Sequence, residues 1–233
     1  MDRGNESTIS QPDIYMKRGI FFSNLLLSEN AILLYLAFLK LFIHLITSNC
    51  YGYFADELYY IAMVQHLDFG YVEVPPLVPL LMAMSNLILG TSLFALHILP
   101  AMAGAAMVFC SGLITREMGG GRFAQALTAV SVITAPIWMV FDSWFAYDPF
   151  DQLITVLLFY SIVVMIKQET PRRWVWIGII AGLGLMMKLT MLFTGLGLLV
   201  AILLTYHRKS LLTRWPWIAA CLVVCLCSPY IVW

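Results

Sequence analysis

Charge is what this 233-residue sequence has least of: 11% of its residues are Asp, Glu, Lys or Arg against 61% hydrophobic, and the mean hydropathy is +0.87. Soluble domains carry about 25% charged residues, so a water-soluble monomer is excluded. Thirteen acidic and thirteen basic residues cancel to a formal net charge of zero, and the basic ones stand singly or in pairs. Without a basic stripe there is no electrostatic footprint for nucleic acid. Cysteine is scarce too: of Cys50, Cys110, Cys221, Cys225 and Cys227 none forms a CxxC pair, and four lie in apolar runs where a thiol acts as a small hydrophobe. Neither a zinc site nor a disulfide framework is indicated. A small-residue cleavage motif is also missing after the first apolar run, so the first helix is expected to stay as an anchor.

What is present is a succession of uncharged runs, at 74–115, 123–141, 152–166, 174–187, 189–207 and 215–233, separated by short charged punctuation. Serial membrane crossings read this way. The pattern predicts an all-α polytopic membrane protein: a cytoplasmic N-terminal segment, 1–30, and one integral module, 31–233, of about seven transmembrane helices. Their expected positions are 31–47, 94–115, 123–141, 150–166, 174–188, 190–206 and 215–232. Arg3, Lys17 and Arg18 precede the first span and place the N-terminus in the cytoplasm by the positive-inside rule.

The run 74–115 could hold two crossings, or one crossing plus a surface helix. With one, at 94–115, Arg116, Arg122, Lys167, Arg172, Arg173, Arg208, Lys209 and Arg214 all fall in cytoplasmic loops; with two, all of them are outside. The charge bias selects one crossing. A helix over 77–90 is then only about 21 Å long, short of the roughly 30 Å hydrocarbon core, and lies shallow. Residues 174–206 have basic residues on both flanks and must form a hairpin whose outer tip is near Lys188. The first outer loop is expected at 48–93, with juxtamembrane helices, and the second at 142–150.

This topology gathers Asp56, Glu57, Asp68, Glu73, Asp142, Asp148 and Asp151 on the outer side, with Lys188 as the nearby cation. Acids at a membrane interface mark an ion path, a metal site or catalysis unless they are solvated loop residues, the reading that suits Asp68 and Asp142 best. The sharpest local feature is the segment 51–77, where Asp56 and Glu57 stand among five tyrosines. Interfacial tyrosines and a first-turn acid pair are also what an ordinary juxtamembrane helix carries.

The stretch FADELYYIAMVQHLDFGYVEVPPLVPLL resembles the first outer loop of the GT-C glycosyltransferases, in the branch of the protein O-mannosyltransferases and the lipid A aminoarabinose transferase. LGTSLFALHILPAMAGAAMVF, the REMGGGR loop, FAYDPFDQL and GLGLMMKLTMLF follow in the same order, so the resemblance runs from about residue 51 to 195. It implies an inverting transfer of a sugar from a polyprenyl-phosphate donor to a hydroxyl on a protein, lipid or glycan, at the non-cytoplasmic face. It also implies that the chain is the N-terminal part of a longer transferase.

On that resemblance Asp56 is the general base that takes the acceptor proton. Glu57 either raises its neighbour's proton affinity by like-charge repulsion or orients the loop. Lys188 matches a lysine that holds the donor phosphate, where the rival reading is snorkelling to the interface. Asp148, Glu73 and Tyr60 are substrate-binding candidates. A divalent metal at Asp56, Glu73 and Asp148 stays open, and no cofactor is assigned. The lysine that follows the acid in the aminoarabinose branch is absent here, since Glu73 is followed by Val74 and Pro75. Lys40 has no family counterpart and is expected to snorkel or pair. His44, His97 and His207 read as structural or interfacial, His66 as a residue within reach of the site, and Met186 and Met187 as packing. A cation- or proton-coupled transporter and a non-catalytic membrane subunit are the competing classes.

Overall fold

The computed structural model describes residues 29–233, so the expected cytoplasmic segment with Arg3, Lys17 and Arg18 lies outside the described residues. Among those described there are helices and connecting turns and no strands. Four helices are long and apolar enough to cross a membrane: α1 (Glu29–Thr47), α4 (Leu93–Glu117), α7 (Tyr147–Gln168) and α10 (Arg214–Val232). The rest are α2 (Ala55–Val64), α3 (Leu77–Leu89), α5 (Arg122–Thr134), α6 (Pro136–Phe141), α8 (Trp174–Met187) and α9 (Met191–Leu204). The chain is a polytopic all-α membrane protein.

The helices fall where the seven segments were expected, but three of those segments do not cross as single full-length helices. The segment at 123–141 is divided at Ala135, whose extended backbone (ψ 117°) answers the restriction that Pro136 imposes on the residue before it. Helices α8 and α9 have 14 residues each, about 21 Å of rise. Beyond α9 the chain bends by 108° into a short 3-10 turn at Tyr206–Leu212, and counting that pair as one broken span gives at most five crossings by length and composition. The ambiguous run 74–115 holds the 13-residue α3 and the 25-residue α4.

Helix α4 packs against α1, α3, α5 and α7. Its buried positions are mostly small, among them Ala95, Ala101, Ala103, Gly104, Ala105 and Gly112, which lets neighbours approach closely. A Cβ at Gly112 would collide with Leu33 of α1. The helix ends in the GGG turn, where Gly119 adopts φ +91° and its amide bonds Arg116 O, a left-handed exit that glycine takes at no steric cost.

Helix α1 buries one stripe, Leu33, Ala37, Lys40 and His44, which Ser48 continues just past its end, at spacings of three and four residues. The stripe is apolar near Asn30 and polar toward the first loop. Helices α8 and α10 meet through small residues: Gly178 lies directly against Ala219, and Gly182 against Val223 and Leu226. Helix α9 is mostly exposed, and between it, α7, α8 and α10 lies an apolar cavity of about 480 Å³ lined by residues such as Leu158, Ile177, Ala181, Leu196 and Val223.

The two ends of this array differ in charge. At one end Arg116 bonds Asn30 at 2.6 Å, Lys167 pairs with Glu117 at 3.0 Å, and Arg173 bonds Gln168. At the other end lie the two acidic loops and Lys188, packed over a core of Tyr60, Met63, Val78, Met82, Phe145, Phe150 and Met187.

Candidate active site

Asp56 and Glu57 are the second and third residues of α2, and the helix start divides their labour. Phe54, the N-cap, offers no polar side chain, so the N3 residue does the capping: Glu57 Oε2 accepts the Phe54 amide at 2.8 Å. The other oxygen, Oε1, accepts the Phe145 amide from the second loop at 2.6 Å and faces His97 Nε2 at 3.0 Å. His97 Nδ1 faces the Ser48 carbonyl at 3.1 Å. Both ring nitrogens thus face oxygen atoms, one of a carboxylate and one of a backbone carbonyl. The Tyr51 ring stacks on His97 with centroids 5.3 Å apart.

Glu57 is fully buried and its carboxylate is taken up by these three donors. It ties the first loop, the second loop and α4 together. Asp56, one residue earlier, is half-buried and takes no part in the cap, which Glu57 makes. Its charge acts on Tyr60 and on Asp148, and the charge of Lys188 acts on Asp148 as well.

The second loop delivers Asp148 by a similar device. Helix α7 starts at Tyr147 after the extended Ala146, which puts Asp148 in the first turn, where the helix dipole favours a carboxylate. The loops are fastened across the gap by the Phe54 and Trp144 rings, stacked with centroids 4.0 Å apart. Lys188 is the residue at which α8 stops: its backbone is extended (φ −155°) and its amide bonds Gly184 O at 2.8 Å. Its Nζ lies 3.9 Å from the centre of the Tyr147 ring, a cation–π contact that aims the ammonium at the start of α7.

The structure therefore brings Asp56, Asp148 and Lys188 to one region, with Asp151 also within reach of the Lys188 charge. It sorts the other candidates differently. Tyr60 is 1% exposed and packs in the core below the acids; burial, and then the charges of Asp56 and Asp148, push its phenol above the ordinary range, so it carries its proton. Glu73 is exposed on the far part of the first loop. No trio of His, Cys, Asp or Glu gathers at metal-ligating distance among the described residues, so Asp56, Glu73 and Asp148 do not form a ready metal cage. His66 is exposed.

The reading of Asp142 as a solvated loop residue is overturned. Its side chain is fully buried and pairs with Lys40 at 2.5 Å, because the polar end of the α1 stripe faces the end of α6. One residue of the site was not singled out from sequence. Tyr147, adjacent to Asp148, aims Lys188, and its position at the head of the FAYDPFDQL motif was the available signal. His97, expected to be structural or interfacial, is buried and is the partner of Glu57.

No curated protein and no solved structure matches the chain. A family model does, over residues 73–233, a stretch that contains Asp148 and Lys188 and begins after Asp56 and Glu57. That match covers more than half of the chain and, with the helical membrane fold and the loop geometry above, shows that the chain belongs to the dolichyl-phosphate-mannose-protein mannosyltransferase family, of GT-C type.

Proposed function

We propose that the acidic end of the array transfers a sugar, mannose as in the family, from a polyprenyl-phosphate carrier to an acceptor hydroxyl with inversion at the anomeric carbon. Asp56 takes the hydroxyl proton as the acceptor oxygen forms its bond to that carbon. The bond from the anomeric carbon to the phosphate oxygen breaks, and the phosphate leaves with the electron pair. Lys188, aimed by Tyr147, neutralises the charge that develops on it. Asp148 holds the sugar or acceptor beside Asp56. A protein is the acceptor that the family points to; a lipid or glycan is the alternative.

The observation that carries this reading is the split between neighbouring carboxylates. Glu57 is consumed by Phe54, Phe145 and His97, while Asp56 is left at the mouth of the same helix, facing the start of α7. A solvated acid pair would show no such division. The separation of the basic and acidic ends also supports a site facing away from the cytoplasm. A cysteine placed at the exposed Val72 is then expected to react with impermeant thiol reagents outside, and one at Met118 only with reagents that enter the cytoplasm; the reverse pattern would invert the site.

Asp56→Asn keeps the shape of the side chain and removes its basicity. In the intact transferase it is expected to lower turnover by about 100-fold or more while donor binding persists. Turnover near that of the wild type would exclude Asp56 as the base.

A further inference from the structure

The Lys40–Asp142 pair is used by no step proposed above, yet both side chains are wholly buried. Such pairs are a poor source of stability, because desolvating two charges costs about as much as their attraction returns. Its surroundings point to a different role. Asp142 is the first residue after α6 and begins the short link that runs through Ser143, Trp144, Phe145 and Ala146 to Tyr147 and Asp148. Ser143 Oγ approaches His44 Nδ1 at 3.5 Å, one turn along α1 from Lys40. The Phe145 amide is held by Glu57. On the remaining side Gly104 of α4 gives the Asp142 carboxylate room, and a Cβ there would overlap it.

The link is thus anchored at its start to α1 and in its middle to the first residues of α2. Sliding it along the membrane normal would strip a buried charge of its partner, whereas an apolar contact would allow such a shift at little cost. We propose that the Lys40–Asp142 pair sets the height of the second loop against the Asp56–Glu57 helix, which makes both of them positioning residues for the transfer reaction. The consequence for transfer rests on the function proposed above; the effect on loop position does not.

The stacked rings of Phe54 and Trp144 supply a readout free of turnover. In a chain whose five natural cysteines are replaced, Phe54→Cys and Trp144→Cys report the approach of the two loops through cross-linking by a short bifunctional thiosulfonate. Adding Lys40→Met with Asp142→Leu substitutes an apolar contact of similar bulk, which is expected to leave helix content and melting temperature near those of the parent. The cross-linking rate is expected to fall roughly fivefold or more, and the reversed pair, Lys40→Asp with Asp142→Lys, to restore most of it. In the intact transferase the same apolar pair lowers kcat and leaves the donor KM nearly unchanged. A folded apolar variant that cross-links at the parent rate would overturn the proposal. So would an apolar variant that fails to fold, since the pair would then carry stability rather than position. Loss of the Asp56 assignment would leave this test standing.

Discussion

Around α1, α4 and the two loops, apolar packing is joined by buried polar contacts between elements, as in Lys40 with Asp142 and Glu57 with His97 and Phe145. Between α8 and α10 the contacts are close apolar ones, made possible by Gly178 against the Ala219 backbone and Gly182 against Leu226 and Val223. The first kind is directional and tolerates one arrangement, because a slip exposes a charge to hydrocarbon. The second depends on shape, and its strength comes from close van der Waals approach. On the function proposed above the division has a use: the polar half holds Asp56 and Asp148, which would have to stand in fixed relation, whereas the apolar half would only have to present Lys188 at the end of a helix.

The largest effect is expected where the ionic half is cut on one side only. Lys40→Ala leaves the Asp142 carboxylate buried without its cation, and breaking a pair in this way costs about 3–5 kcal/mol. Reversible unfolding in detergent micelles measures it. A loss below about 1 kcal/mol would show that water reaches Asp142, and the contrast between the halves would weaken.

A smaller loss is expected in the apolar half. At Gly178 an added Cβ would lie 2.7 Å from the Ala219 backbone, which cannot swing aside as a side chain can. Gly178→Ala is therefore expected to cost about 1–3 kcal/mol by overpacking, measured in the same way. A neutral outcome would mean that α8 and α10 are free to move apart.

Much of this architecture was legible because hydropathy acts over whole segments. The run 74–115 resolves into α3 and α4, and the run 174–206 divides at Lys188 into α8 and α9. The crossing count was less legible, since a hydrophobic run fixes how much chain is apolar and leaves open where the helix breaks; Pro136 and the turn after Leu204 decided that. At the candidate site, Asp56, Asp148 and Lys188 are named from motifs, and the structure brings them to one region. The different fates of Asp56 and Glu57 could not be read that way, because they depend on a helix start whose N-cap is Phe54, a residue with no capping group. Lys40, expected to snorkel or pair, does pair, and what the sequence left open was the partner. Its partner is 102 positions away, but the spacing Leu33, Ala37, Lys40, His44, Ser48 already placed it on one face with apolar residues, a signal that it pairs inward.

The smallest expected effect also has the opposite sign. Helix α9 carries Gly195 in its interior, as α8 carries Gly178, but an added Cβ at Gly195 meets nothing within 4 Å. Helix α9 buries only Met191, so Gly195 makes no close approach to a partner. What remains is the backbone cost of glycine in a helix, and Gly195→Ala is expected to stabilise by about 0.5–1 kcal/mol. The same substitution thus loses stability on one arm of the hairpin and gains it on the other. Melting temperatures of the two single variants and the double decide the matter. Additivity is expected, since the two sites share no contact that a methyl group would bridge. If Gly195→Ala were as damaging as Gly178→Ala, then α9 would be packed against a neighbour across the cavity, and the apolar half would be as tightly specified as the ionic one.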